Sequence, residues 1–193
     1  MTTSNTRQQP LCIGVTGHRI LAAVDKINAG IDAGLIRIAQ AFAGRRLVAV
    51  SPLAEGADRL VATRVLARRG GRLIAPLPLA QDDYMQDFAT GESKAEFMRL
   101  VRQAEQVVLL DAKPTRNEAY EAVGLYVLDH CDVLIAIWDG QGAQGQGGTG
   151  DIVARARARG LPLVWVHAGN RKPGTTEPTT LGDEQGMVTY ERL

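Results

Sequence analysis

Long apolar runs, paired cysteines and an excess of either charge sign are all missing from this 193-residue chain. No apolar stretch approaches the roughly 20 residues that a membrane-spanning helix needs, so the sequence predicts no membrane segment. The two cysteines show no CxxC or Cys/His spacing, so no metal site is predicted. A net charge of +1 and only two Trp, four Tyr and three Phe argue against a nucleic-acid-binding surface.

The remaining composition is typical of one globular domain in a reducing compartment, and the cytoplasm is the expected location. Residues 1–10 are polar and lack the apolar core of a secretory signal, so they are interpreted as a flexible leader. Residues 11–168 form the predicted domain. Residues 169–193 are rich in Gly, Pro and Thr without a clear period, and they are interpreted as a C-terminal tail.

Strands and helices alternate along the predicted domain. Short apolar runs predict six strands, at 11–15, 47–50, 73–79, 107–110, 133–138 and 161–166. Helical spacing and capping signals predict helices at 27–42, 57–69, 117–129 and 152–159, with two more between 82 and 105. This alternation predicts a Rossmann-like three-layer αβα domain, with a mostly parallel sheet of about six strands.

The stretch after the fifth predicted strand has the strongest site signal. A buried strand, a glycine-rich turn and the start of a helix form a common device for holding phosphate, because free backbone N–H groups and the helix dipole favour an anion. The turn also contains Gly142 and Gly145, and a purely conformational turn is the alternative interpretation. The candidate phosphate contacts are Gly147, Gly148, Thr149 and Gly150, and Gly140 is a further candidate for ligand contact.

Polar residues follow other predicted strands, and the carboxyl ends of parallel strands share one edge of a sheet. Thr16, Gly17, His18 and Arg19 follow the first strand, and Arg19 is suited to bidentate phosphate binding. A hydrogen bond within the loop is the alternative for His18. Asp139 directly follows the fifth strand and is a candidate for a ribose contact or for orienting water.

A charged cluster follows the second predicted strand. Glu55 is a candidate acceptor for ribose hydroxyls, and Gly56 would let the ligand approach the backbone. Asp58 and Arg59 complete the cluster, although Asp58 could simply stabilise the helix dipole and Arg59 could pair with Glu55. Asp151 lies in the first turn of a later helix. It could orient water or bind a ribose, or it could simply stabilise the helix dipole.

Three motifs resemble the bacterial SLOG superfamily, which groups the lonely-guy proteins, the Rossmann domain of DNA-processing protein A and nucleotide-sensing domains of conflict systems. The motifs are GVTGHR at 14–19, LAEGADRL at 53–60 and DVLIAIWDG with GGTGD between 132 and 151. The resemblance implies a Rossmann-like fold, a nucleotide-type ligand with its phosphate on the glycine turn, and a homodimer or higher homo-oligomer. It also adds Gly14 to the pocket candidates.

The resemblance departs from the hydrolytic lonely-guy members at one position. Those proteins read PGGxGTxxE, with the Glu as catalytic acid. Here Gly148–Thr149 matches the GT pair, but the Glu position falls on Ile152, with Asp151 one residue early. Because one residue rotates a helical side chain by about 100°, this offset favours binding over hydrolysis.

The expected function is therefore binding, and by interpretation sensing, of a nucleotide or nucleotide-sugar derivative. The alternative is a phosphoribohydrolase that cleaves the N-glycosidic bond of a nucleoside 5′-monophosphate, with Asp151 or Glu55 as the catalytic acid. The sequence specifies no cofactor besides the bound nucleotide, and it leaves open whether Mg²⁺ accompanies the phosphate.

Overall fold

The computed structural model describes residues 9–142 and 147–193. Gly145 and most of the predicted leader lie outside these ranges. The strands are β1 Leu11–Gly17, β2 Leu47–Val50, β3 Arg72–Leu77, β4 Gln106–Leu109, β5 Val133–Trp138, β6 Leu163–His167 and β7 Val188–Glu191. The α-helices are α1 Val24–Ala41, α2 Ala57–Leu66, α3 Gln81–Tyr84, α4 Gly91–Val101, α5 Arg116–Asp129 and α6 Thr149–Ala158. Short 3₁₀ turns cover Met85–Asp87 and Gly182–Glu184.

The strands form one sheet in the order β4-β3-β2-β1-β5-β6-β7. All neighbours are parallel except β7, which pairs antiparallel with β6. The predicted α/β fold with a mostly parallel sheet is thereby confirmed. The order reverses at β1, because the chain leaves β1 towards β2 and later returns to the other side of β1 with β5.

Every residue of β5 is buried, because its side chains point alternately to the two faces of the sheet and each face is covered by helices. Ile135 and Ile137 belong to an apolar core that also contains Ile31 of α1 and Val61 of α2. The intervening residues, such as Ala136, belong to a second core built with α5 and α6. A parallel sheet covered on both faces produces this pattern, which appears in the sequence as a continuous apolar run.

α1 and α6 each begin three residues earlier than the sequence predicts. For α5 and α4 the sequence predicts N-caps at Asn117 and Ser93, and the structure has others. Thr115, rather than Asn117, caps α5, and Glu118 closes a capping box by accepting from the Thr115 backbone N–H at 2.9 Å. Thr90, rather than Ser93, caps α4 and accepts a hydrogen bond from the Ser93 backbone N–H at 3.1 Å. Both predictions were wrong because two residues near each helix start suit an N-cap. Ser, Thr, Asn and Asp are all favoured at this position.

Pro76 and Pro78 lie within the third predicted strand, and they predict that only its first residues pair. The structure differs from this expectation. The strand continues through Pro76 to Leu77, and Pro76 pairs in register with Val108 of β4. In a parallel ladder only alternate N–H groups bond to a given neighbour, so one missing donor can be tolerated.

The segment from 169 to 193, interpreted from sequence as a tail, contributes the seventh strand. Gln185, which is only 3% exposed, holds this segment against the rest of the domain. Its amide donates to the Ala22 carbonyl at 2.8 Å and accepts from the Gly169 and Leu181 N–H groups at 2.9 and 3.1 Å. Within the described ranges, none of the helices combines the length and apolarity needed to cross a membrane.

Candidate functional site

An open cleft of about 970 Å³ lies at the carboxyl ends of the strands, where the sheet order reverses between β1 and β5. Crossover helices leave this point on opposite faces, so a crevice forms there in doubly wound folds. A second cleft of about 520 Å³ shares part of its wall. Of the predicted site residues, nine line the larger cleft: Thr16, Gly17, His18, Arg19, Asp58, Asp139, Gly147, Gly148 and Thr149. Gly150 lines the smaller one.

The loop after β1 forms the centre of the cleft wall. The His18 ring accepts a hydrogen bond from the Asp139 backbone N–H through Nε2 at 3.2 Å. Burial lowers the pKa of His18, although the nearby Asp139 carboxylate opposes this shift. The ring is therefore neutral at neutral pH. Its hydrogen bond joins the loop after β1 to the end of β5, and is not the bond within the loop that the alternative interpretation expects. Contact of His18 with a ligand stays a prediction.

Arg19 supplies a cation at the cleft, where its guanidinium lies over the Tyr120 ring at 5.1 Å from the centroid. Tyr120 belongs to α5, and its hydroxyl bonds to Asp87. Tyr120 is also a hydrogen-bond partner of the guanidinium. The contact holds a positive charge at the wall of the cleft, where it favours an anionic ligand.

The start of α2 approaches this loop closely at Gly56. Gly56 has φ +75° and ψ −120°, and a Cβ there would overlap the carbonyl oxygens of His18 and Arg19. The next amide, that of Ala57, donates to the His18 carbonyl at 3.1 Å. Glycine is required here for the packing of α2 against the loop, and Gly56 itself does not line the cleft.

Asp58, in the first turn of α2, is buried yet lines the cleft. Its Oδ2 accepts a hydrogen bond from the Ala54 N–H at 3.1 Å. Burial raises the pKa of Asp58 to about 7, although the Ala54 N–H and the guanidinium groups of Arg19 and Arg59 favour the charged form. A carboxyl that titrates near neutrality inside a cleft is a frequent mark of a functional group.

The described part of the glycine turn presents a helix N-terminus to the cleft. Gly148 is the N-cap of α6, and no side chain caps the helix. The first N–H groups of such a helix have no partner within the helix, so they are available to an anion. Asp151 folds back on the turn, accepting from the Gly147 N–H at 3.0 Å and from Arg155 at 3.1 Å. The Gly147 N–H, followed by Arg155, lowers the pKa of Asp151.

Six predicted residues line neither cleft: Gly14, Glu55, Gly56, Arg59, Gly140 and Asp151. Glu55 instead accepts hydrogen bonds from the Ser93 hydroxyl and from the Ala89 N–H. Arg59 is 3% exposed and donates to Glu96 and Ser93, so the predicted Glu55–Arg59 pair is replaced by contacts of each with α4.

Gly14 and Gly140 serve packing within the described structure. A Cβ on Gly14 would lie 2.6 Å from Cys131 Sγ and 2.9 Å from Val127 of α5. The glycine therefore allows α5 and the segment after it to pack closely on β1. Gly140 has φ +81° and faces the Trp165 ring. Neither position requires a ligand to explain its glycine.

The cleft also has polar lining residues that sequence reasoning did not select: Tyr84, Asn117, Tyr120, Asn170 and Arg171. The last two follow β6, so the strand-end rule could have found them if the chain beyond 168 had been included. Asn117 was interpreted as a helix cap. The two tyrosines belong to no sequence motif. Tyr84 lies on α3 and Tyr120 on α5, and the packing of these helices places both side chains at the cleft.

Metal ligation has no support in the described structure, because no group of three or more His, Cys, Asp or Glu side chains converges there. The cations at the cleft are instead Arg19 and Arg171.

The fold and the cleft define a Rossmann-like α/β protein with an open site at its topological switch point. A scan of family models finds no match for the chain, and no curated protein matches its sequence. The resemblance to the SLOG superfamily therefore stays a prediction.

Proposed function

We propose that the cleft binds a nucleotide or nucleotide-sugar derivative, with the phosphate at the N-terminus of α6. The observation that carries this proposal is the uncapped α6 N-terminus opening into a large cleft at the β1–β5 switch point. Helix N-termini at such points bind phosphate because their free N–H groups and dipole favour an anion.

The side chains around this helix end support the same ligand class. Arg19 and Arg171 supply positive charge on two sides of the cleft, and Asn117 and Asn170 supply neutral hydrogen-bonding groups. A cleft of about 970 Å³ is also large enough for a nucleotide.

Hydrolysis of the N-glycosidic bond gains less support. Asp151 is held by Gly147 and Arg155, and Glu55 is held by Ser93 and Ala89, so neither candidate acid is free to face a ligand. We therefore favour binding and sensing over turnover. Incubation with nucleoside 5′-monophosphates, followed by chromatography for free base, tests this preference; release of base would reverse it.

The experiment that tests the binding site places a carboxylate on the helix end. Gly148 has φ −73° and ψ +165°, which any residue can adopt, so Gly148→Asp should fold and cap α6. The carboxylate would occupy the N–H groups and repel phosphate. Because two unit charges about 4 Å apart repel by roughly 1–4 kcal/mol between water and a protein surface, affinity should fall about fivefold or more.

The matched control is Thr90→Asp, which adds the same charge at the N-cap of α4, away from the cleft lining. Affinities for adenosine, guanosine, cytidine and uridine 5′-monophosphates are measured by calorimetry, with and without Mg²⁺. Loss of binding in Gly148→Asp alone is the expected result. Equal affinity in both variants, or no binding by the wild-type protein, would overturn the proposal.

Homo-oligomerisation stays a prediction from the resemblance. Light scattering coupled to size-exclusion chromatography tests it, and a monomeric mass across the working concentration range would contradict it.

A further inference from the structure

Asp58 has one carboxyl oxygen engaged by the fold and the other directed to no protein donor. The side chain is 6% exposed and lines the cleft. Its Oδ2 accepts from the Ala54 N–H at 3.1 Å, whereas none of the described residues donates a hydrogen bond to its Oδ1. Oδ1 is not among the fully buried unpaired side-chain atoms of the described residues, so it is accessible from the cleft. A ligand that enters the cleft can therefore pair with an oxygen that the protein leaves open.

The groups that face Asp58 come from three elements. Arg59 lies beside it on α2. Its Nε donates to the Leu53 carbonyl at 3.0 Å and its Nη1 donates to Ser93 of α4, whereas its Nη2 is buried without a hydrogen-bond partner among the described residues. Arg19 approaches from the loop after β1, and Tyr84 lines the same cleft from α3. Both arginines favour the charged carboxylate, yet burial outweighs them and keeps the pKa near 7. At neutral pH the carboxyl is therefore protonated in a large fraction of molecules.

Tyr120 and His18 complete the ionisable surroundings of this part of the cleft. The Tyr120 ring lies under Arg19, and its hydroxyl bonds to Asp87. Burial raises the pKa of Tyr120, so this residue is neutral and adds no charge near Asp58. His18 is turned towards Asp139, and burial lowers its pKa, so it stays neutral above pH 7.

The position of Asp58 along the sheet edge relates it to the opposite end of a nucleotide. Asp58 follows β2, and the glycine turn follows β5, with β1 between these two strands. Two strand spacings amount to roughly 10 Å. A nucleoside 5′-monophosphate spans a distance of this order from its phosphate to the far edge of its base.

We propose that Asp58 contacts the base of the bound nucleotide and donates a hydrogen bond from Oδ1 to a ring nitrogen or carbonyl oxygen. This inference rests on the proposed function, because it takes the phosphate to lie at α6. We expect the Asp58 carboxyl to be protonated in the complex for two reasons. The ligand displaces water from the carboxyl, and its phosphate brings negative charge into the cleft; both effects favour the neutral acid. Binding then takes up one proton above pH 7, and affinity falls as the pH rises.

The test compares adenosine and cytidine 5′-monophosphates, whose bases do not ionise near neutrality, with ribose 5-phosphate, which has no base. Affinities are measured by calorimetry at pH 7.5 and 8.5. The ratio of nucleotide to ribose 5-phosphate affinity cancels the ionisation of the phosphate and of His18. For the wild-type protein this ratio should fall by up to about eightfold, the limit reached when only the base contact holds the proton on Asp58.

Asp58→Asn is the informative variant, because its carboxamide keeps the shape, can accept from Ala54 and donates permanently. It should bind the nucleotides at pH 7.5 and show no fall in the ratio at pH 8.5. Asp58→Ala, which has no donor, should weaken nucleotide binding at both pH values and leave ribose 5-phosphate unchanged. Calorimetry in buffers of different ionisation enthalpy should show proton uptake by the wild type only.

The outcomes separate this inference from the proposed function. A ratio independent of pH in the wild type, the same pH dependence in Asp58→Asn, or ribose 5-phosphate binding as tightly as both nucleotides would overturn the role of Asp58 alone. If none of the three compounds binds, the proposed function is wrong and the base contact is wrong with it.

Discussion

Replacing Gly56 by alanine should destabilise the protein through one backbone position. Gly56 has φ +75° and ψ −120°, and an added Cβ would lie 2.5 Å from the His18 carbonyl oxygen while also overlapping that of Arg19. A non-glycine residue in such a conformation costs about 1–3 kcal/mol, and relieving overlap with rigid backbone adds to this. We expect a loss of about 3 kcal/mol or more in the free energy of unfolding.

Urea and thermal unfolding measure this loss. For a domain of this size, about 2–4 °C is lost per kcal/mol, so the Tm should fall by about 6 °C or more. The control is Gly91→Ala in the first turn of α4, where an added Cβ meets nothing within 4 Å. That substitution should change stability by less than about 1 kcal/mol. Equal midpoints for both variants would refute the reasoning.

A local measurement separates strain at Gly56 from a general loss of stability. The Ala57 N–H donates to the His18 carbonyl at 3.1 Å, so displacement of the loop should break this bond. Hydrogen exchange at Ala57 should therefore accelerate more in Gly56→Ala than exchange in the central strand β5. Uniform acceleration throughout the sheet would mean that the variant is destabilised for another reason.

Three further predictions concern buried polar groups. Because burial raises the pKa of Asp58 from 3.8 to about 7, the folded state retains a proton that the unfolded chain loses, and stability falls between about pH 4 and pH 7. Asp58→Asn should gain up to about 4 kcal/mol relative to wild type across this range in urea unfolding; a constant difference would contradict the shift. Gln185→Ala removes three hydrogen bonds to backbone groups and should cost about 3 kcal/mol by the same measurement, whereas a cost below about 1 kcal/mol would mean that β7 is held otherwise. Arg59→Met keeps apolar packing on Phe88 but loses the bonds to Glu96 and the neighbouring backbone, so we expect a loss of about 2 kcal/mol, and a neutral result would mean that these bonds contribute no net stability.

Much of the architecture could be predicted from local patterns. Val133–Trp138 was predicted with the observed bounds, because a strand buried on both faces requires an unbroken apolar run. Helix ends were less predictable, as Thr115 and Asn117 show, since both residues can cap and only the backbone conformation selects one. β7 was missed because its residues, half exposed at a sheet edge, carry little periodicity.

The cleft itself could be predicted in outline, since strand-end residues share one edge in a parallel sheet. The direction of individual side chains could not. Glu55 and Asp58 are three residues apart in one motif, yet Asp58 lines the cleft and Glu55 bonds to Ser93 and Ala89. This difference depends on where α4 packs, which no local pattern of the motif contains.

By itself, the sequence determined the alternation of strands and helices, the glycine-rich turn and the polar strand ends, because periodicity, turn chemistry and capping are properties of neighbouring residues. Only the tertiary structure decided the strand order that reverses at β1, the burial of Asp58 and the contribution of residues 169–193 to the sheet. These features arise from contacts between segments distant in the chain, so their energies depend on packing that a linear pattern does not encode.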